Sequence, residues 1–284
     1  MASDKLVVIL GPTSSGKSSL GIKLAKKFNG EVISADSRQV YKGMDIGSGK
    51  ITKTEQRMVK HHLLDVALPK QQYTVAKFSK QAAKAVRQIQ AQAKLPFIVG
   101  GTAFYIYSVI DGLDIPVVKP DLKLRKKLST KSADQLFKML QKLDPKRALT
   151  IDRKNKVRLI RAIEINKKIG KVPELKFPNF QNHDKSKLLI LGVKRDLNKL
   201  RKLINARVDQ RLKQGMVAEV KKLKANGISF KRLESFGLDY RQAALFLQNK
   251  ISFQEMVQAI KNENWHFAKR QLTWFKRDPR IEWV

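Results

Sequence analysis

The stretch GPTSSGKSS, Gly11 to Ser19, follows the apolar run KLVVIL and fits the pattern G-x-x-x-x-G-K-[ST] without a mismatch. A buried strand that runs into such a loop and then into the helix KSSLGIKLAKKF leaves few folds open. Gly11 opens the turn. The backbone amides from Thr13 through Ser14, Ser15, Gly16 and Lys17 to Ser18 are expected to point inward at phosphate oxygens, aided by the dipole of the following helix. Lys17 supplies positive charge, and the Ser18 hydroxyl is placed to ligate Mg²⁺. The loop announces a phosphate ester without saying which one, or which of its bonds breaks.

The segments after the loop repeat the alternation of strand and helix. GEVISAD reads as a second strand ending on Asp36, and YTVAKFSKQAAKAVRQIQAQAK has helical spacing of Val75, Phe78, Ala82, Val86 and Ile89. LPFIVGGT reads as a third strand, and KLLILGVKR, Lys187 to Arg195, as a later one. The expected fold is α/β, a P-loop-type parallel sheet with crossover helices whose ligands gather at the carboxyl ends of the strands. Residues 116–184 are polar, basic and helical in spacing, so they read as a mainly helical insertion domain. The core would then comprise residues 1–115 and 185–284. One long helix is expected from Asp196, as N-cap, to about Ala225, with Gly227 as its stop. Another follows in SFQEMVQAIKNENWHFAKRQLTWFKR and ends before Pro279.

Charge narrows the partner. The 284 residues hold 59 Lys plus Arg against 24 Asp plus Glu, a net +35, and the natural counterpart is a polyanion, most simply nucleic acid. Cysteine is absent, which removes disulfides, a thiol nucleophile and cysteine-ligated zinc. Runs such as LVVIL are strand-sized rather than membrane-sized, and Gly11 arrives too soon for a signal peptide, so the expectation is a cytoplasmic protein without a membrane partner. A monomer is expected.

P-loop nucleotidases usually hold Mg²⁺ with a strand-end Asp after an apolar run. Of the strands here only GEVISAD ends in an acid, so Asp36 is the carboxylate with the right address. It can cap the next turn, hold a metal, or act as a base beside an acceptor. In VGGT, the paired glycines allow close approach to the backbone, and Thr102 serves either as a plain N-cap or as a hydrogen-bonding group for a ligand. The pair His61–His62 lacks a third ligand nearby and reads as structural. Trp265, Phe267, Trp274 and Phe275 have helical spacing and read as core, with RNA contact left to the basic face of Lys269, Arg270, Lys276 and Arg277.

The strings GPTSSGKS, DSRQVYKGMDIGSGK, HHLLDV, YTVAKF, VGGTAFYI, NKVRLIRAIEI and AKRQLTWFKR occur in the order found in tRNA dimethylallyltransferases, also called tRNA isopentenyltransferases. The chain resembles that family, in its bacterial form, from Leu6 to Trp283. The resemblance implies transfer of a dimethylallyl group from dimethylallyl diphosphate to the exocyclic amine of the adenine just 3′ of the anticodon in tRNA. The loop would then hold a leaving diphosphate, and a carbon–oxygen bond would break.

By this resemblance Asp36 falls where the family's catalytic base meets the adenine amine, and Thr102 where a hydroxyl positions it. Gly11, Thr13, Ser14, Ser15, Gly16, Lys17 and Ser18 fall on the diphosphate loop, Arg207 falls near the diphosphate, and Mg²⁺ is the implied cofactor. Ser37, Arg38 and Gln39 fall on the segment that holds the target base. Val157, Arg158 and Arg161, then Arg241, then Lys269, Arg270, Gln271, Trp274 and Arg277 fall on strips that contact the anticodon stem-loop. Three strings depart from the family pattern. GGTA stands where GGTG is common, IDRKN where IHPND is common, and Lys77 where relatives often carry Asp.

Without the resemblance, a small-molecule kinase or an RNA-stimulated NTPase would also explain the loop. The kinase does not need the +35 charge, and the NTPase lacks a separate strand-end Asp.

Overall fold

The computed structural model describes residues 5–113, 116, 118–173 and 187–284. Six strands form one sheet: β1 (Leu6–Leu10), β2 (Gly30–Ala35), β3 (His61–His62), β4 (Leu95–Gly100), β5 (Leu188–Gly192) and β6 (Ile281–Trp283). Their spatial order is β3-β2-β4-β1-β5-β6, and every neighbouring pair is parallel. Apolar residues run without alternation through β1 and β4 because both faces of a parallel sheet are covered. The parallel sheet with crossover helices is the one read from the sequence.

The helices of the first unit before the insertion are α1 (Lys17–Lys27), α2 (Lys53–Met58), α3 (Val75–Ala91) and α4 (Ala103–Ile110). One core cluster joins α1 to the sheet through Ile22, Ala25, Val7, Ile9, Phe97 and Val99. Because β4 inserts between β2 and β1, the loops that leave these three strands share one edge of the sheet. Those loops are the phosphate loop, the segment opened by Asp36 and the Gly100–Gly101–Thr102 turn.

The chain divides into two compact units, with Asp111–Pro178 as the smaller. Its described residues form α5 (Leu122–Ser129), α6 (Ala133–Leu143), α7 (Pro145–Thr150) and α8 (Lys156–Ile169) around Leu128, Leu136, Leu140, Leu159 and Ile163. Ser132 and Gln135 close a capping box on α6, and Asp144 and Asn155 cap α7 and α8. Burial alone would raise the Glu164 carboxyl. Bonds from Arg125 and Arg161 and the Asp121 amide hold it at about 2 instead.

The larger unit continues with α9 (Leu197–Lys213), α10 (Met216–Ala225), α11 (Phe230–Ser235), α12 (Leu238–Leu247) and α13 (Phe253–Phe275). Asp196 caps α9 by accepting from the Lys199 amide at 2.9 Å. The single helix expected from Asp196 to about Ala225 is in fact two. Gly215 takes φ 95°, a left-handed conformation that costs an L side chain, and turns the chain between α9 and α10. The last helix runs as read and stops before Pro279. Among the described residues no helix is long and apolar enough to cross a membrane.

Candidate active site

Lys17, the first residue of α1, donates from Nζ to the Pro12 carbonyl at 3.0 Å. Burial, and then the neighbouring Arg207 guanidinium, bring its pKa down to about 8, against the pull of the Asp36 carboxylate. Arg207 and Arg211 stand one turn apart on α9, so their side chains share a face. Arg207 donates to the Gly49 carbonyl at 3.1 Å, and burial followed by repulsion from Arg211 lowers its pKa to about 10. Arg211 is buried and donates from Nη1 to Asp239 Oδ2 at 2.6 Å and to the Gly47 carbonyl at 3.4 Å. A side chain at Gly49 would collide with both guanidinium groups, which is why the DIGSGK string carries glycine there. Arg211 is thus paired with Asp239, while the buried cations Lys17 and Arg207 stand together without an ion pair of their own among the described residues, an arrangement that asks for an anion.

Across from these cations stands Asp36. Its Oδ1 accepts from the amides of Arg38 at 2.8 Å and Gln39 at 3.4 Å, a local turn that fixes the carboxylate just past β2. The Thr102 hydroxyl accepts from the Ser37 amide at 3.2 Å, so Asp36 and Thr102 are tied through one intervening residue. Arg38 reaches the Phe236 carbonyl at 2.7 Å and lies over that ring. Gln39 accepts from the Ser34 hydroxyl and donates to the Gly49 carbonyl, each at 3.2 Å.

Two cavities meet at these groups. The first is lined by Lys17, Ser18, Gln39, Arg207 and Gln271 among others. The second, of about 510 Å³, is lined by Ser37, Arg38, Thr102, Phe236, Arg241 and Arg270 among others. Thr13, Asp36, Ser48, Arg211 and Phe267 line both. The carboxylate therefore sits at the junction of a smaller cationic chamber and a larger chamber rimmed by arginines.

A family model for IPP transferase matches residues 39–278. The chain belongs to that family. It is 44% identical to the tRNA dimethylallyltransferase of Carboxydothermus hydrogenoformans, over 99% of this chain and 92% of that protein. The Finegoldia magna tRNA dimethylallyltransferase is 40% identical over 99% and 90% of the two chains. Among solved structures, the tRNA isopentenylpyrophosphate transferase of Bacillus halodurans superposes with a TM-score of 0.72 at 36% identity, covering 99% of this chain and 90% of that one. A eukaryotic dimethylallyltransferase acting on tRNA gives 0.80 at 28% identity, covering 99% and 74%.

Within this IPP transferase the residues picked from sequence fall into separate groups. Thr13, Lys17, Ser18, Asp36, Gln39 and Arg207 share the first cavity. Gly11, Ser14, Ser15 and Gly16 supply the loop's backbone, with Ser14 at φ 61° and the Ser15 amide closing a turn on the Pro12 carbonyl. Arg241 and Arg270 reach the second cavity. Lys269 and Arg277 are exposed, and Lys269 lies over the Trp265 ring. Trp274 is half-buried, while Phe275 is fully buried. Val157 and Arg158 are exposed on α8 in the smaller unit, whereas Arg161 is engaged there with Glu164 and the Val118 carbonyl. His62 pairs with Glu31 at 2.6 Å, and His61 sits on the Val59 carbonyl at 2.7 Å.

Three assignments change. Gln271, which the resemblance puts on the RNA-contacting strip, falls in the buried seam of α13 with Ala268 and Phe275 and faces the loops. The Thr13 amide, expected to face phosphate, instead donates to Gln271 Oε1 at 2.8 Å. The close approach allowed at the glycine pair is made at Gly101 by a protein side chain, since Gln271 Nε2 donates to the Gly101 carbonyl at 2.7 Å.

Sequence reasoning also missed Arg211, Asp239, Asn264 and Glu219. Glu219 accepts from the amides of Asp45, Ile46 and Gly47 at 2.7–3.1 Å and from the Tyr240 hydroxyl at 2.8 Å, which holds the loop over the two arginines. Arg211 follows Arg207 at helical spacing, and polar Asn264 and Gln271 interrupt an apolar seam. Both signals were present in the sequence.

Proposed function

We propose that this chain transfers the dimethylallyl group of dimethylallyl diphosphate to N6 of the adenine 3′-adjacent to the anticodon in tRNA. The supporting observation is Asp36, which borders both the cationic chamber of Lys17 and Arg207 and the larger, arginine-rimmed chamber beside Thr102. The first chamber suits a diphosphate, and the second is open enough to take a base swung out of an RNA stack.

The chemistry follows from that placement. A new bond forms between N6 and the allylic carbon, and the carbon–oxygen bond to the diphosphate breaks with its electron pair on the leaving oxygen. Lys17 and Arg207 stabilise the charge that grows there, at fixed positions in a desolvated site. Asp36 takes the amine proton as N6 attacks, and Thr102 orients the amine. Holding both reactants in line supplies much of the acceleration. Ser18 would hold Mg²⁺ against the diphosphate, and the donors bordering it, hydroxyl and carboxylate oxygens, are of the kind that ion takes. Bound Mg²⁺ would neutralise charge on the leaving group.

The excess of basic residues offsets the cost of about a few kcal/mol for unstacking the target base. The reading is tested by incubating the protein with unmodified tRNA, Mg²⁺ and dimethylallyl diphosphate and assaying for prenylated adenosine. Consumption of the γ-phosphate of ATP without such a product would overturn it in favour of a kinase.

A further inference from the structure

Gln271 is 5% exposed and its amide makes two bonds that no helix needs. Oε1 accepts from the Thr13 amide at 2.8 Å, and Nε2 donates to the Gly101 carbonyl at 2.7 Å. A Cβ at Gly101 would collide with Nε2 and would lie 3.3 Å from the Gly11 carbonyl, so the second glycine of the pair exists to admit this side chain. Thr13 belongs to the donor loop. Gly101 precedes Thr102, whose hydroxyl fixes the Ser37 amide next to Asp36. The same α13 that buries Gln271 carries Arg270 into the acceptor chamber.

We infer that Gln271 is a positioning residue that sets the spacing between the diphosphate cradle and the acceptor groups. This inference rests on the reaction proposed above. A planar carboxamide suits the task because one end must accept and the other donate, so each loop is held by a bond of fixed direction. Both bonds run between protein atoms. Their loss leaves Lys17, Arg207 and the other loop amides able to grip diphosphate, while the gap between donor carbon and adenine amine is no longer fixed. A shift of about 1 Å at a reacting pair costs on the order of 100-fold in rate.

Two variants test this. Gln271→Met keeps the bulk and removes both bonds. The expected result is a kcat lowered by about 100-fold, with affinity for inorganic diphosphate, measured by calorimetry, within about threefold of the parent. Gln271→Glu supplies a pH readout. An ionised carboxylate can accept from Thr13 but cannot donate to the Gly101 carbonyl, whereas the protonated acid does both. The ratio of its kcat to that of the parent protein should therefore rise as pH falls from 8 to about 5.5. The inference is overturned if Gln271→Met turns over within threefold of the parent. It is also overturned if diphosphate affinity and kcat fall together, or if the Gln271→Glu ratio is flat with pH. Should Gln271→Met not fold, the Glu ratio decides alone. A parent protein that makes no prenylated adenosine would instead refute the proposed reaction.

Discussion

Lys17 should make donor binding depend on pH in a window set by the free protein. Its pKa there is about 8, while a lysine in water titrates near 10.5. A bound diphosphate adds negative charge beside Lys17 and Arg207 and returns Lys17 to its charged form, so binding takes up a proton. With only the charged lysine competent, about 90% of the free protein is ready at pH 7 and about 10% at pH 9. Affinity should fall about tenfold across that interval, roughly 1.4 kcal/mol. The dimethylallyl diphosphate is already fully ionised there, and Arg207, at about 10, stays charged.

Isothermal titration of dimethylallyl diphosphate in two buffers of different ionisation enthalpy counts the proton, expected at about one half per site at pH 8. Lys17→Arg keeps the charge at every pH and should flatten the profile whatever it does to affinity. Affinity unchanged from pH 7 to 9.5, or a profile still steep in Lys17→Arg, would refute the argument. For the free fold the sign is opposite. The unfolded chain binds the extra proton between pH 8 and 10.5, so Lys17's contribution makes the protein more stable as pH rises through that range.

Asp36→Ala should cut turnover by at least about 100-fold while tRNA affinity, measured by filter binding, changes little; equal losses in both would remove it as the base. Replacing Lys269 and Arg270 together by Ala should weaken tRNA binding and reduce the slope of log affinity against log salt by about 1 to 2. Glu31 meets Lys94 and His62, whose hydrogen bonds outweigh the upward push of burial and set its pKa at about 2. The stability it contributes is complete above about pH 4.5 and is lost as pH falls toward 2, so Glu31→Gln should flatten the acid side of a thermal-melting profile. Gly101→Ala should drive Gln271 out of its slot and mimic Gln271→Met in kcat, with diphosphate affinity retained.

The elements legible in the sequence were those that repeat a period or a spacing. The apolar runs of β1, β2, β4 and β5 announced themselves, as did the loop motif and the acid at the end of β2. β3 and β6 are two and three residues long, too short for any alternation to register, and only pairing with β2 and β5 makes them strands. The break at Gly215 was hidden because helical spacing resumes in phase on its far side. At the site, charge clusters could be read and geometry could not. Lys269 to Gln271 form one basic-looking string, yet helical rotation exposes the first and buries the last. Arg211 carries no sequence motif of its own, and only the contacts with Asp239 and the Gly47 carbonyl bring it to the site.

The bond from Thr13 to Gln271 spans 258 positions of chain. At a synthesis rate of about 5–20 residues per second, the loop is synthesised roughly 13–50 s before its partner. For that time the nascent sheet can own a phosphate cradle but no spacer between donor and acceptor. Only a chain that has reached residue 271 can therefore bond the two loops through one side chain.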